Sequence, residues 1–141
     1  MIEKLFVANK AVITNNNNEV LLIQENPDDP IRSHPKKWDV VGGRMNMWET
    51  PQESLMREIQ EEVGIEVTIG KPIYVADWRP QPIPDEKWQI VGIFYHCISQ
   101  STDVCLSGEH MNFAWVPLEN IDDYDIIAEA KQAILQLEHP T

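Results

Sequence analysis

The sequence predicts an α/β fold in which a mixed β-sheet packs against helices, within one domain of 141 residues. Three observations lead to this class. Strand-like apolar runs alternate with turn residues, one helix has clear start and stop signals, and an amphipathic helix lies near the end of the chain. Because strands precede and follow the first helix, we expect a single sheet with helices on its faces. The chain is long enough to bury its own core.

The first half of the chain opens with a predicted β-hairpin. Its strands are the apolar runs KLFVANKAVIT (4–14) and EVLLIQE (19–25), and asparagines 15–18 separate them. Asparagine tolerates the positive φ angles that tight hairpin turns require. A proline-rich loop (26–37) follows, and WDVVGG (38–43) is predicted to be a short strand that ends in a Gly-Gly turn.

Residues 50–63 form the best-defined predicted helix. Thr50 can cap its N-terminus, Pro51 suits the first helical position, and Glu53 completes a capping box with Thr50. Gly64 stands where a helix commonly ends on a left-handed residue. The helix therefore begins immediately after the loop that follows the Gly-Gly turn.

The second half is predicted to be mostly strands and one closing helix. IEVTIGKPIYVADW (65–78) has the pattern of strand, turn, strand, and the proline-rich segment 79–87 that follows is a loop. WQIVGIFYHCIS (88–99) and FAWVPL (113–118) are rich in β-branched and aromatic residues and are predicted strands. Residues 122–138 carry apolar side chains at helical spacing and are predicted to form the second helix.

The charge and the cysteines exclude several classes of function. A formal net charge of −12 is unfavourable for binding a nucleic-acid polymer or an anionic membrane. Cys97 and Cys105 match no zinc-site spacing, and free thiols favour the reducing cytoplasm, where we expect the protein. The sequence shows no signal peptide and no apolar run of roughly 20 residues that could span a membrane.

The helix at 50–63 concentrates carboxylates on one arc. At about 100° per residue, Glu58, Glu61 and Glu62 lie beside the arc of apolar residues. A solvated face explains most glutamate-rich helices, but Glu58 and Glu62 repel each other at i,i+4 and the helix carries no lysine. A divalent cation would remove this repulsion, and Mg²⁺ prefers carboxylate oxygens and commonly bridges to phosphate. Arg57 can pair with Glu61 one turn later.

Residues 43–65 resemble the Nudix box, G-x5-E-x7-R-E-U-x-E-E-x-G-U, where U is a bulky aliphatic residue. Every fixed position is filled, by Gly43, Glu49, Arg57, Glu58, Ile59, Glu61, Glu62, Gly64 and Ile65. Asn46 and Trp48 depart from a glutamate and a glycine that the family often has just outside these positions. The order of strands and helices is similar to the family's whole domain, so the resemblance implies one Nudix domain over 1–141, with the α/β/α sandwich of that family.

The resemblance implies a MutT-like Nudix hydrolase, which cleaves a nucleoside diphosphate linked to a group X with Mg²⁺, or with Mn²⁺ as a substitute. The glutamates that match Glu58, Glu61 and Glu62 bind the metal or metal-bound water, and a carbonyl of the Gly-Gly turn, Gly42 or Gly43, often adds a ligand. The residues that match Arg57 and Glu49 orient a glutamate, and Glu58 is our candidate for the general base. Glu109 is the expected loop ligand, although an exposed loop residue explains it equally well, and Glu119 is the alternative.

The substrate-binding residues are less sharply indicated. Arg44, Arg32 and Lys37 could contact phosphate, and each is as readily explained as a surface cation. Trp38 is a candidate platform for the base, and the other aromatic candidates are Trp78, Trp88, Phe94 and Tyr95.

Three functions follow from the resemblance. The first is hydrolysis of a nucleoside triphosphate, oxidised deoxynucleotides included, to the monophosphate and pyrophosphate, because HPKKWDVVGG (34–43) is similar to that group of the family. The second is hydrolysis of ADP-ribose or a nucleotide sugar, for which Pro80, fifteen residues after the box, is a weak sign. The third is a non-catalytic nucleotide-binding module, which the complete set of box glutamates disfavours. All three imply a small-molecule nucleotide partner, and family analogy allows a homodimer.

Overall fold

The computed structural model describes residues 1–25, 36–81, 83–106 and 110–138. Seven strands are formed: β1 (Ile2–Thr14), β2 (Glu19–Glu25), β3 (Trp38–Asp39), β4 (Val41–Arg44), β5 (Val67–Trp78), β6 (Glu86–Ser99) and β7 (His110–Pro117). The helices are α1 (Pro51–Glu62) and α2 (Ala128–Leu135), with short 3₁₀ helices at Leu118–Asp123 and Gln136–Glu138.

The strands form one mixed sheet in the order β3-β2-β1-β6-β5, while β4 pairs with β1 and β7 pairs with β2. β1 runs parallel to β6 from Ile2 to Thr14, and the other strand pairings of the described residues are antiparallel. β1 meets β2 at Thr14 and then diverges from it, so that β4 pairs with β1 at residues 8–11. The Gly-Gly segment is therefore held against the central strand.

The core lies in two clusters, one on each face of the sheet. Ala11 and Ile13 of β1 pack with Leu55 and Ile59 of α1, whereas Val12 packs in the cluster that contains α2. This division follows from the alternation of side chains along a strand. Helices cover both faces, which confirms the predicted α/β sandwich. In the part of the chain that the structure describes, no helix is both long and apolar enough to cross a membrane.

The predicted hairpin and the predicted ends of the first helix are confirmed. β1 and β2 form the hairpin, and α1 begins after Thr50, whose side chain accepts a hydrogen bond from the Glu53 N–H at 3.1 Å. The Glu53 carboxylate accepts in return from the Thr50 N–H at 2.9 Å. Gly64 follows the helix with a φ of +62°, in the left-handed region that glycine adopts without strain.

Two predicted elements of the second half were wrong. Residues 65–78 form no turn, because β5 is one edge strand that stays paired with β6 and absorbs Pro72 as a register shift. The second helix begins at Ala128 rather than at residue 122. The Trp38 N–H donates to the Asp125 carbonyl and the Ile127 N–H donates to the Trp38 carbonyl, each at 2.9 Å. This pairing with β3 keeps the segment before Ala128 out of the helix.

Residues 38–43, predicted to be one strand that ends in a Gly-Gly turn, form parts of two strands, and both glycines lie inside the second strand rather than in a turn. β3 ends at Asp39, and β4 begins at Val41. The two strands have different partners, since β3 pairs with β2 and β4 pairs with β1. The chain therefore crosses between the two diverging strands at Val40, which is fully buried.

Candidate active site

Two glycines bring α1 and β4 into close contact. A Cβ atom added at Gly43 would lie 2.7–2.9 Å from the carboxyl atoms of Glu58, and so only glycine leaves room for this side chain. Gly42 has a φ of +142°, and a Cβ there would lie 2.3 Å from the carbonyl oxygen of Asn9. The Gly-Gly pair thus lets one strand contact β1 on one side and the box helix on the other.

Glu62 lies buried at the C-terminal end of α1. Its Oε1 atom accepts a hydrogen bond from the Gly42 N–H at 2.7 Å, and the residue is 4% exposed. Burial raises the pKa of Glu62 to about 8, although the nearby Lys10 ammonium acts in the opposite direction. Lys10 itself donates to Asp39 Oδ2 at 3.0 Å. The site therefore contains a positive charge that comes from β1 and lies outside the box.

Arg57 connects three carboxylates of the box. Its Nε and Nη2 atoms donate to the two oxygens of Glu49 at 2.7 and 3.0 Å, and its Nη1 atom donates to Glu58 Oε1 at 3.0 Å. A longer bond of 3.3 Å reaches Glu61. The two-bond fork fixes the planar guanidinium group. Arg57 thereby links the Glu49 carboxylate to one oxygen of Glu58.

The pKa values of these carboxyls differ because of their surroundings. The hydrogen bonds from Arg57 hold the pKa of Glu49 below its ordinary value. Burial raises the pKa of Glu58, and the charge and hydrogen bond of Arg57 oppose this increase. Glu49 therefore suits a permanently charged anchor, whereas Glu58 suits a group that gains and loses a proton.

The loop before α1 contains an unusual exposed tryptophan. The Asn46 N–H donates to Glu49 Oε1 at 2.7 Å, which closes the loop around the anchor. Trp48 takes a φ of +71°, the conformation that a glycine at this position would adopt freely, and its side chain is 94% exposed. Trp48 thus has a backbone conformation that favours glycine, and its indole lies in solvent.

The box glutamates offer the donor chemistry that a hard divalent cation requires. Glu58 and Glu62 both lie against β4, and Glu61 points to the surface, where its side chain is 59% exposed. Within the described residues, no three His, Cys, Asp or Glu side chains converge closely enough to hold a metal ion. The set fits Mg²⁺ in the type of its donors, but the structure does not show the three glutamates gathered around one point.

Several predicted site residues are placed elsewhere or fall outside the described part. Arg32 and Glu109 lie outside the described residues. Glu119, the alternative to Glu109, lies in the 3₁₀ helix that follows β7. Trp38 is half-buried in the cluster that contains α2, where its ring meets Tyr124 edge-on at a centroid distance of 5.2 Å. Its surroundings are those of a core side chain.

Arg44 lies on a pair of aromatic rings that the sequence did not single out together. Its guanidinium carbon is 4.4 Å from the centroid of Phe6 and 4.9 Å from that of Trp88. We call these two rings the aromatic platform. Trp88 also lines an open cleft of about 670 Å³ whose lining includes the cations Lys4, Arg79 and Lys87. Trp88 was one of five aromatic candidates, whereas Phe6 carried no signal beyond its place in a strand.

Comparison with known protein families assigns the chain to a family. The NUDIX domain model matches residues 4–137, which is nearly the whole chain. The chain belongs to the Nudix family. It is a MutT-like Nudix hydrolase, and so the predicted family and the predicted class of enzyme are confirmed.

Individual relatives support the same assignment. The nucleoside triphosphatase NudI of Enterobacter sp. (strain 638) is 32% identical over 120 residues, which span 81% of this chain and 84% of that protein. The crystal structure of a MutT protein from Methanosarcina mazei Go1 is similar with a TM-score of 0.81 and 26% identity, covering 98% of this chain and 96% of that one. The E. coli dihydroneopterin triphosphate pyrophosphohydrolase, 20% identical with a TM-score of 0.75 over 92% of both chains, shares the fold.

Proposed function

We propose that this Nudix hydrolase is one domain that cleaves nucleoside triphosphates to the monophosphate and pyrophosphate. Its substrates would include oxidised deoxynucleotides, and it would require Mg²⁺ or Mn²⁺. The observation that carries the proposal is the position of β4. One side of this strand contacts Glu58 and Glu62, and its last residue, Arg44, lies on the aromatic platform. Carboxylates for a metal and a cation beside aromatic rings are thus adjacent, which suits a phosphate chain joined to a base.

The proposed roles follow from the contacts. Glu58, Glu61 and Glu62, a carbonyl of Gly42 or Gly43, and the loop residue Glu109 would hold the metal. A bound divalent ion supplies neutralisation of the phosphate charge and a lowered pKa of a bound water. Glu58 takes the proton of the attacking water, and Arg57, anchored by Glu49, keeps the Glu58 carboxylate in place.

The choice of a triphosphate rests on the relatives and on the cations near the platform. The NudI relatives are named as nucleoside triphosphatases, and they align with most of this chain. Arg44 and the cleft residue Lys87 bring positive charge to this surface of a strongly acidic protein, whereas Lys4 and Arg79 are paired with Glu86 and Asp77. A triphosphate carries more negative charge than a diphosphate ester and so gains more from this surface.

One observation favours a second candidate, the hydrolysis of ADP-ribose or a nucleotide sugar. Pro80, whose spacing from the box is a weak sign of ADP-ribose specificity, lines the same cleft as Trp88. The two candidates give different products, because a triphosphate yields pyrophosphate whereas ADP-ribose yields AMP and ribose 5-phosphate.

The test is a substrate panel of dNTPs, oxidised dNTPs, CTP, ADP-ribose and nucleotide sugars, assayed with Mg²⁺ or Mn²⁺ for phosphate, pyrophosphate and AMP. We expect pyrophosphate from a triphosphate and no product after chelation. Glu58→Gln should abolish turnover and retain nucleotide binding, while the same change at the exposed Glu66 should have no effect. Nucleotide binding without turnover of any substrate would instead identify a binding module.

A further inference from the structure

Two buried polar side chains, one inside the box and one on the strand beside it, have no hydrogen-bonding partner among the described residues. Asn9 on β1 and Ser54 on α1 are both 0% exposed. The amide nitrogen and oxygen of Asn9 and the hydroxyl of Ser54 make no hydrogen bond with the described protein atoms. Such groups are rare in folded proteins because an unsatisfied buried polar atom is costly, and buried ordered waters typically bond to polar groups that lack a protein partner.

Asn9 lies close to the carboxylate of Glu58. Asn9 is directly opposite Gly43 in the antiparallel pair of β1 and β4. Side chains of directly opposed residues project from the same face, with Cβ atoms about 5 Å apart. The Cβ position of Gly43 is 2.7–2.9 Å from the carboxyl atoms of Glu58. The amide of Asn9 is therefore within the span of one water from that carboxylate.

Ser54 approaches the same place from the helix. It lies one turn before Glu58 on α1, so both side chains are on the same side of the helix. Side chains in a helix lean toward its N-terminus, which directs the stem of Glu58 over Ser54. Full burial of Ser54 shows that its hydroxyl faces the sheet rather than solvent.

We propose that Asn9, Ser54 and Glu58 enclose a binding site for one buried water, which holds the Glu58 carboxylate in its working orientation. A water can accept a hydrogen bond from the Ser54 hydroxyl and donate one to the Glu58 carboxylate. It can also form a hydrogen bond with the Asn9 amide, which offers both a donor and an acceptor. Arg57 fixes Glu58 Oε1, and the water adds a second point of attachment. Asn9 and Ser54 are then positioning residues, and the catalytic part of this inference rests on the proposed function.

The first experiment is a high-resolution crystal structure of the metal-free protein and of Asn9→Leu. We expect an ordered water within about 3.2 Å of Asn9, Ser54 and Glu58 in the wild-type protein. In the variant, the water should be absent and the Glu58 carboxylate should move. A wild-type structure without this water would overturn the proposal, whether or not the protein turns over any nucleotide.

The second experiment separates positioning from a purely structural effect. Asn9→Leu should lower kcat about tenfold, leave KM within about twofold and weaken the binding of Mn²⁺ measured by calorimetry, because a mobile carboxylate is misplaced for both tasks. Ser54→Ala, which favours the helix, should give a smaller loss of the same kind. The control is Thr14→Val, which removes a buried hydroxyl from the same strand about 17 Å away.

The outcomes distinguish this proposal from the proposed function. If both variants keep the wild-type kcat and the wild-type Mn²⁺ affinity, the water does not position Glu58 and the proposal fails. If Asn9→Leu does not fold, the result with Ser54→Ala decides by the same criteria. If the wild-type protein hydrolyses no nucleotide, the proposed function fails, and the crystallographic water and the Mn²⁺ affinities still test this inference.

Discussion

Replacing Gly43 with alanine should move the Glu58 carboxylate while leaving the backbone in place. The new Cβ would lie 2.7–2.9 Å from three carboxyl atoms, and ordinary contacts begin at 3.4 Å. The carboxylate must therefore withdraw by about 0.5–0.7 Å. Gly43 is not among the glycines with positive φ, so alanine adopts its backbone conformation without strain.

This displacement should affect catalysis far more than stability. A misplacement of about 1 Å in a catalytic group can cost about a hundredfold in rate, so a shift of half that size or more should lower kcat about 10- to 30-fold. That loss corresponds to about 1.4–2 kcal/mol of transition-state stabilisation. The contacted atoms are the end of a flexible side chain, and we expect the free energy of unfolding to change by less than about 1 kcal/mol.

The assay measures kcat for the preferred nucleotide together with thermal denaturation. Gly64→Ala is a matched control, because its Cβ meets its nearest neighbour, Cys105, at an ordinary 3.6 Å but its φ of +62° strains alanine. This control should lose about 1 kcal/mol of stability and keep its kcat. A Gly43→Ala enzyme with wild-type kcat would refute the assigned importance of the Glu58 position, and loss of its fold would refute the argument that the side chain yields.

Three further predictions concern charge and pH, and each is read as a difference between variant and wild type. Burial raises the pKa of Glu62 to about 8, so the folded protein favours the protonated form of this side chain. The stability that protonated Glu62 contributes is fully present below pH 4.5 and is lost as the pH rises through 8. In metal-free protein, Glu62→Gln should therefore flatten the fall in melting temperature between pH 5 and 9, and an unchanged slope would contradict this. Arg57→Lys keeps the charge but cannot form the fork with Glu49, so kcat should fall at least about tenfold with little change in melting temperature; full activity would show that the fork is dispensable. Burial lowers the pKa of His96, whose ring is hydrogen-bonded to Thr14, so the unfolded chain takes up the proton first and stability falls below about pH 6.5. The melting temperature of His96→Gln should fall less than that of the wild type between pH 7.5 and 5.5. An equal fall would rule out this histidine as the cause of the pH dependence.

The elements that could be predicted from the sequence are those whose signals are local. Thr50, Glu53 and Gly64 define both ends of α1 within the helix and its flanks, and these contacts are present as expected. The start of α2 could not be predicted in this way, because Trp38, about ninety residues earlier, pairs with the segment before it. The continuity of β5 likewise depends on β6 across the sheet rather than on the turn-forming residues of its own segment.

The same distinction applies to the site. Helical spacing was enough to predict that Arg57 reaches Glu61, and the resemblance implied that Arg57 orients a glutamate without saying that Glu58 is the one it contacts. Lys10 and Asn9 belong to a strand that is far from the box in sequence, and only the pairing of β1 with β4 brings them beside it. The sequence did contain a signal for Asn9 and Lys10, because these two adjacent polar residues interrupt the otherwise apolar run of β1. It could not be interpreted without knowing which strand lies next to β1.

The charges around β4 give a physical reason for a divalent cation that does not depend on the family. Among the described residues, five carboxylates lie on or beside the Gly-Gly strand and the adjoining face of α1: Asp39, Glu49, Glu58, Glu61 and Glu62. Three cations accompany them: Lys10 and Arg57, which pair with these carboxylates, and Arg44, the last residue of the strand. When all are ionised, two negative charges remain, and burial of Glu62 makes this excess costly. The metal-free site can reduce the excess by keeping Glu62 protonated, and burial also raises the pKa of Glu58, whereas one divalent cation would balance the excess with every carboxylate charged. Metal binding should therefore be coupled to release of a proton from Glu62 near neutral pH.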